Sequence, residues 1–422
     1  YWSAEEREMA SNMTDMMSNF VVGIIGMGDM GKMYARRLSD SGWRINACDR
    51  EEKYESLCEE FADRKQIQIL RNGHLVSRAS DYIIYNVEAA SIDKVVAQYG
   101  PSTKQGSIVG GQTSCKSPEI AAFEKHLPAD VLIKHRASQE NFDKVEKVLS
   151  CLGSQHVYLS AAQHDRITAD TQAVTHAAFL SMGKAWHANK QFPWEIPRYV
   201  GGIENVKINL TLRIYSQKWH VYAGLAILNP DAKLQIKQYA QSVTDLFKLM
   251  LEGHRDELER RIKKAGAAVF GSQQTQHELL LRDEVLDRFS LGKKPEKPTP
   301  NNHLSLLAMV DCWSQLGIVP YDHMICSTPL FRLWLGVTEY LFRKPALLDE
   351  VIRTAVEDNT FRSDDLEFTF AARGWSECVS FGDFQSYKDR FQSTQKFFEP
   401  RFADATKVGN EMMKTILENT QR

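Results

Sequence analysis

At 422 residues, 43% of them apolar, the chain has material for two or three domains with full cores. Its 52 Lys and Arg stand against 54 Asp and Glu, and so near a balance argues against nucleic acid or an anionic membrane as partner. Seven cysteines, an odd number with neither a C-x-x-C pair nor metal-ligand spacing, fit a reducing compartment and no metal site. No stretch approaches the roughly 20 apolar residues that span a bilayer, and nothing resembles a signal peptide, so a soluble, cytoplasmic protein is expected. The first residue is Tyr1, so the text is expected to begin inside a longer chain.

The first predicted elements lie in VVGIIGMGDMGKMYARRLSDSGWRINACDREE. Val21 to Ile25 is a β-branched run suited to a buried parallel strand, and Lys32 to Leu38 opens a helical pattern. Between them stands G-x-G-x-x-G, with Gly26 for a tight turn, Gly28 for close approach of backbone N–H groups to a pyrophosphate, and Gly31 for helix packing. Met27, Asp29 and Met30 complete the loop that would face the phosphates at the helix N-terminus. A second strand, Trp43 to Cys48, ends at Asp49, about 20 residues on, where a carboxylate can reach a ribose hydroxyl. That acid favours NAD, whereas Arg50 beside it can pair with a 2′-phosphate and favours NADP; the balance leans to NADP.

Strand and helix then alternate. DYIIYNVE reads as a strand, ASIDKVVAQYG as a helix, GSIVGG as a strand and KSPEIAAFEKHLP as a helix, which is doubly wound α/β grammar. GQTSCK places Ser114 and Lys116 at the carboxyl edge of the sheet, where Ser117-Pro118-Glu119 also reads as a helix start.

From about Ala161 the pattern turns helical. The expected division is a Rossmann-like dinucleotide-binding domain over 1–160, a helical substrate and dimerisation domain over 161–292, and a helical extension over 301–422, with GKKPEKPTPNN as a surface linker and no internal repeat evident. The fold class is thus an α/β N-terminal domain followed by a mostly α-helical C-terminal region. In HDRITADTQAVTHAAFL, Asp165, Thr168, Gln172 and His176 share one face of a regular helix, as a pocket wall or as a solvated stripe. In LTLRIYSQKWH, Arg213, Gln217 and His220 repeat the pattern; Arg213, set among Leu210, Leu212 and Ile214, needs an anion, from a substrate carboxylate or a salt bridge. PLFRLWLGVTEYLF is apolar on more than one face, which predicts either a homodimer or burial in the chain's own core.

VVGIIGMGDMG…CDREE, NGHLVSRASDYIIYNVEA, GGQTSCKSPEI, HDRITADTQAVTHAAFLSMG, NLTLRIYSQKWHVYAGL and PYDHMICSTPLFRLWLG together resemble the prephenate dehydrogenases of fungal tyrosine biosynthesis, over nearly the whole chain. The resemblance implies NADP-dependent oxidative decarboxylation of prephenate to 4-hydroxyphenylpyruvate. It implies Arg213 for the substrate carboxylate, His176 and Gln172 on the substrate helix, and Ser114 orienting the reacting hydroxyl. Gly111 stands where bacterial relatives carry Asp, and Cys115 where they carry Val.

The family's H-S-x-H-G-P, whose first His is the catalytic base, has no counterpart: LPADV runs straight into LIKHRAS, and His135 matches the end of the next strand instead. A His-bearing segment is therefore expected to be missing between Val131 and Leu132, with their Cα atoms farther apart than the ~3.8 Å of a peptide bond. A normal bond there would advance a rival reading, a nucleotide-binding protein without catalysis. Arogenate or a β-hydroxyacid as substrate is the other rival, since arogenate differs from prephenate only by an amine in place of the side-chain ketone.

Overall fold

The computed structural model describes residues 4–129, 131–133, 138–271, 279, 281, 286, 288–289, 291, 295–297, 299–326 and 328–420. They fall into two compact units, Tyr1–His164 and Asp165–Arg422. His135 lies outside the described residues.

Unit 1 carries six parallel strands in the order β3-β2-β1-β4-β5-β6. They are β1 (Val21–Ile25), β2 (Arg44–Cys48), β3 (Ile67–Ile69), β4 (Tyr82–Tyr85), β5 (Ile108–Gly111) and β6 (Leu132–Ile133). Val22, Ile24, Ile83, Ile84 and Val109 are fully buried, as strands covered on both faces require. The order reverses between β1 and β4, so a crevice opens at the carboxyl ends of those strands. The helices are α1 (Ala4–Asn19), α2 (Asp29–Asp40), α3 (Tyr54–Glu60), α4 (Gly73–Ala79), α5 (Ile92–Tyr99), α6 (Lys116–His126) and α7 (Gln139–Leu149). Sequence reading passes over α1, α3, β3, α4 and α7; β3 is only three residues long, too short for an alternation to register.

At the seam, the Val131 amide donates to the Pro128 carbonyl at 3.1 Å, and Leu132 enters β6 directly, in register with Ile108.

Unit 2 is helical. α8 (Ala161–Thr168) passes through a π turn, Ala169–Ala173, into α9 (Val174–Ala188). Then come α10 (Gly202–Tyr215), α11 (Trp219–Leu228), α12 (Pro230–Glu252), α13 (Arg255–Phe270), α14 (Leu304–Leu316), α15 (Pro329–Phe342), α16 (Pro345–Glu357), α17 (Arg362–Phe381), α18 (Phe384–Phe398) and α19 (Phe402–Thr420). One apolar core, from Phe179 and Leu212 to Trp313, Trp334 and Trp375, runs through both helical segments. Phe331, Trp334, Leu335, Val337 and Leu341 of α15 are fully buried against this chain's own α10, α13, α16 and α19. The apolar faces that suggested a homodimer through residues 329–342 are thus already covered. Among the described residues no helix is long and apolar enough to cross a membrane.

Candidate active site

The glycine loop is built by its neighbours. Gly26 holds φ at 104°, and a Cβ there would strike the Asn86 carbonyl at the end of β4. A Cβ on Gly31 would strike the Gly26 carbonyl, so α2 rests directly on the turn. Gly28, the N-cap of α2, has nothing within 4 Å of its Cβ position, so open space lies over the first turn of that helix. Such a cradle, at the positive end of a 12-residue helix, suits a pyrophosphate. The residues present therefore fit a dinucleotide.

Asp49 faces inward. Its Oδ2 accepts from the Met27 amide at 2.8 Å and its Oδ1 from the Arg50 amide at 2.7 Å, with Lys53 Nζ 3.2 Å away. The carboxylate thus braces the glycine loop, with both oxygens already taking N–H donors. The Arg50 side chain is 72% exposed, its guanidinium 3.9 Å from Asp49 and 3.5 Å from Glu52. Geometry leaves the cation, rather than the acid, as the group that reaches outward. Of the other loop residues, Asp29 lies in the first turn of α2 and Met30 is exposed.

Ser114 is exposed on the turn after β5. Beneath it a buried polar knot holds the turn: Glu119 accepts from the Thr113 amide and hydroxyl, and Lys116 Nζ reaches Glu119 at 3.1 Å and the Gly111 carbonyl at 2.9 Å. A Cβ on Gly111 would overlap the Glu119 carboxylate. A carboxylate therefore does stand beside residue 111, brought by α6, a consequence the linear spacing does not display.

In unit 2 the π turn alters the expected pocket wall. One extra residue per turn advances the helix by about 100°, so the single face proposed for Asp165, Thr168, Gln172 and His176 is broken between Thr168 and Gln172. Asp165 and Thr168 are buried and Gln172 is half-buried. The turn instead drives Asp170 inward, where Arg166 donates to it at 3.1 Å, Gln235 of α12 donates to it, and His323 Nε2 lies 3.0 Å away. Sequence reasoning missed this cluster because a regular period places Asp170 off the polar face.

His176 is buried, its ring edge-on to Tyr222 with centroids 4.8 Å apart, and its Nδ1 has no partner. Burial pulls its pKa down to about 4, so the imidazole is neutral near pH 7. Arg213, half-buried on the last turn of α10, donates to Asn410 at 2.5 Å, and its charge lowers the affinity of the Tyr222 phenol for its proton against the dominant effect of burial. Tyr222, not singled out from the sequence, packs on His176. Gln217 and His220 do not share their helix, because α10 ends at Tyr215.

A dinucleotide-binding sheet followed by a helical unit with a buried neutral histidine and an arginine defines a class of two-part dehydrogenases. Residues 21–133 match the family model described as the NAD binding domain of 6-phosphogluconate dehydrogenase, and residues 173–418 that described as Tyr1-like, 6-phosphogluconate dehydrogenase C-terminal domain. The chain belongs to the prephenate dehydrogenase family. It is 58% identical to the Schizosaccharomyces pombe protein named "Probable prephenate dehydrogenase, NADP(+)", over 96% of this chain and 100% of that one. It is 55% identical to the Saccharomyces cerevisiae "Prephenate dehydrogenase, NADP(+)", over 95% and 94%. A Methanocaldococcus jannaschii "Probable arogenate/prephenate dehydrogenase" is 23% identical over 61% of this chain and 62% of that one. The 431 aligned positions of the first match outnumber the 422 residues of this chain, so that relative carries residues with no counterpart here.

Proposed function

We propose that this chain oxidatively decarboxylates prephenate to 4-hydroxyphenylpyruvate with NADP, in tyrosine biosynthesis. The observation that carries the reading is the 58% and 55% identity to fungal prephenate dehydrogenases over nearly their full lengths. When bound, NADP would supply the acceptor for the hydride leaving the ring carbon that bears the 4-hydroxyl. The glycine loop of residues 26–31 and the first turn of α2 hold the pyrophosphate, and Arg50 pairs with the 2′-phosphate. Arg213 grips a substrate carboxylate as a planar fork, and Gln172 lies on the same substrate helix. By the family resemblance His176 and Ser114 belong to the catalytic set, the principal catalytic His being expected in a segment that this sequence lacks between Val131 and Leu132. Loss of the ring carboxylate as carbon dioxide is then driven by aromatisation.

The one observation behind a second reading, a nucleotide-binding protein without turnover, is that this sequence holds no counterpart of the family's H-S-x-H-G-P. Excess positions in the aligned relative are consistent with that segment being present there and absent here. Purified protein assayed with NADP on prephenate and on arogenate decides. Reduction of NADP with prephenate supports the proposal, turnover of arogenate alone shifts the substrate, and NADP binding without turnover of either establishes the second reading.

Location in the cytoplasm is part of the proposal. A homodimer would have to use a surface other than residues 329–342; Leu366 and Phe370, one turn apart and exposed on α17, offer one.

A further inference from the structure

Unit 2 is built twice. Among the described elements its helices fall into two sets of five, α9 to α13 and α14 to α18, of 15, 14, 10, 23 and 16 residues in one and 13, 14, 13, 20 and 15 in the other. Both fourth helices end on a glycine in the left-handed region, Gly253 at φ 73° and Gly382 at φ 69°, and both fifth helices begin two residues later. His176 stands ten residues before Trp186, and His303, the N-cap of α14, stands ten before Trp313.

The packing is reciprocal. α12 packs on α14 as α17 packs on α9; α13 meets α16 as α18 meets α11; α12 meets α17, and α10 meets α15. Exchanging the modules leaves this set of contacts unchanged, which is the property of two copies related by a two-fold axis, here within one chain. The repeat that the residues do not display is thus plain in the helices.

The exchange carries His176 to His303, α11 to α16, and Arg213 to Tyr340, each two residues before the end of its helix. An open cavity of about 370 Å³ lies where the exchange puts the counterpart of the His176–Arg213 site, lined by His303, Tyr340, Leu347, Val351, Arg198 and Glu204. That volume is in the range of small-molecule sites. Glu204 is 6% exposed; its Oε1 takes Lys207 at 2.7 Å, Asn301 at 2.8 Å and His303 Nδ1 at 3.3 Å, while Oε2 has no donor. Arg198 has a buried Nε without an acceptor. Both residues line the cavity; Arg198 also pairs with Asp364 at 3.2 Å, and Glu350 stands on the same wall.

We propose that this cavity is a second ligand site, the duplicated counterpart of the substrate site, and that it takes a 4-hydroxyphenyl carboxylate. The ligand carboxylate meets Arg198, its ring lies against Tyr340, Leu347 and Val351, and its phenolic O–H donates to Glu204 Oε2. Chemistry does not occur there, because Tyr340 stands in place of the substrate arginine. The choice of ligand rests on the proposed reaction, whose product is of this class.

Equilibrium dialysis of the full chain with 3-(4-hydroxyphenyl)propionate, which has the ring and carboxylate of the product without its keto group, tests the proposal. Two molecules per chain are expected in the wild type and one in Arg213→Ala. Leu347→Trp, which fills the cavity, is expected to leave one molecule bound and prephenate turnover within two-fold of wild type. Arg198→Ala, a milder change should Leu347→Trp misfold, is expected to weaken the second site at least ten-fold. A single molecule that disappears in Arg213→Ala overturns the proposal, as do two molecules bound with unaltered affinity in both Leu347→Trp and Arg198→Ala. Failure of the reaction itself would show as absent turnover, which leaves the dialysis count free to decide the second site.

Discussion

Arg50, Arg213 and His176 each carry a measurable consequence. Arg50 is 72% exposed beside Asp49 and is the group proposed to pair with the 2′-phosphate. Arg50→Ala is expected to weaken NADP by about 1.5–3 kcal/mol, the range for hydrogen bonds to charged groups, and to leave NAD almost unchanged. Fluorescence titration with both cofactors checks this, and equal losses would refute it. Arg213→Lys keeps the charge but not the fork, so KM for prephenate should rise about ten-fold or more while NADP affinity holds. His176 binds fewer protons folded than unfolded, since its folded pKa of about 4 lies below the ordinary value of 6.5. Its cost to stability is therefore nil above pH 6.5 and grows as pH falls toward 4. Urea unfolding at pH 7.5 and pH 5 should show wild type losing about 2 kcal/mol more than His176→Gln across that step. A parallel loss in both proteins would show that His176 is solvated.

Among the elements, the π turn has the largest effect on the helical unit. A regular helix over residues 161–188 would leave Asp170 off the polar face read from the sequence; the extra residue turns it in, to tie α8, α12 and the segment bearing His323. Because Arg166 and His323 keep access to solvent, removing the acid strands neither completely. Asp170→Ala should cost about 1–3 kcal/mol in urea unfolding rather than the larger penalty of an isolated buried charge. An unchanged midpoint would mean that the cluster is only a surface feature. The strands and helices of unit 1 were legible because their signals are local: β-branched runs, glycine spacing, and Pro at a helix start. Edge strand β3 and the splits at Ser216 and Gly253 were not, since each depends on what packs alongside.

For the whole molecule, the two helical modules cover each other, and α15 is buried in its own chain. Light scattering at micromolar concentration is expected to give twice the 48.1 kDa of one chain, and Phe370→Glu to reduce it to one. The mass of one chain for the unaltered protein would refute the homodimer.

The dinucleotide fingerprint, the change from α/β to helical grammar and the family were all present in the residues, because turn chemistry, hydrophobic period and motif order are written along the chain. Arg213 and His176 could also be named there, though not the Tyr222 that packs on His176, since that contact links α9 and α11. Glu119 beside Gly111, the inward Asp170 and the repeat of modules were decided by tertiary structure alone. Each rests on groups distant in sequence sharing one small space, and helices that pack by shape can keep their arrangement after their residues have ceased to match.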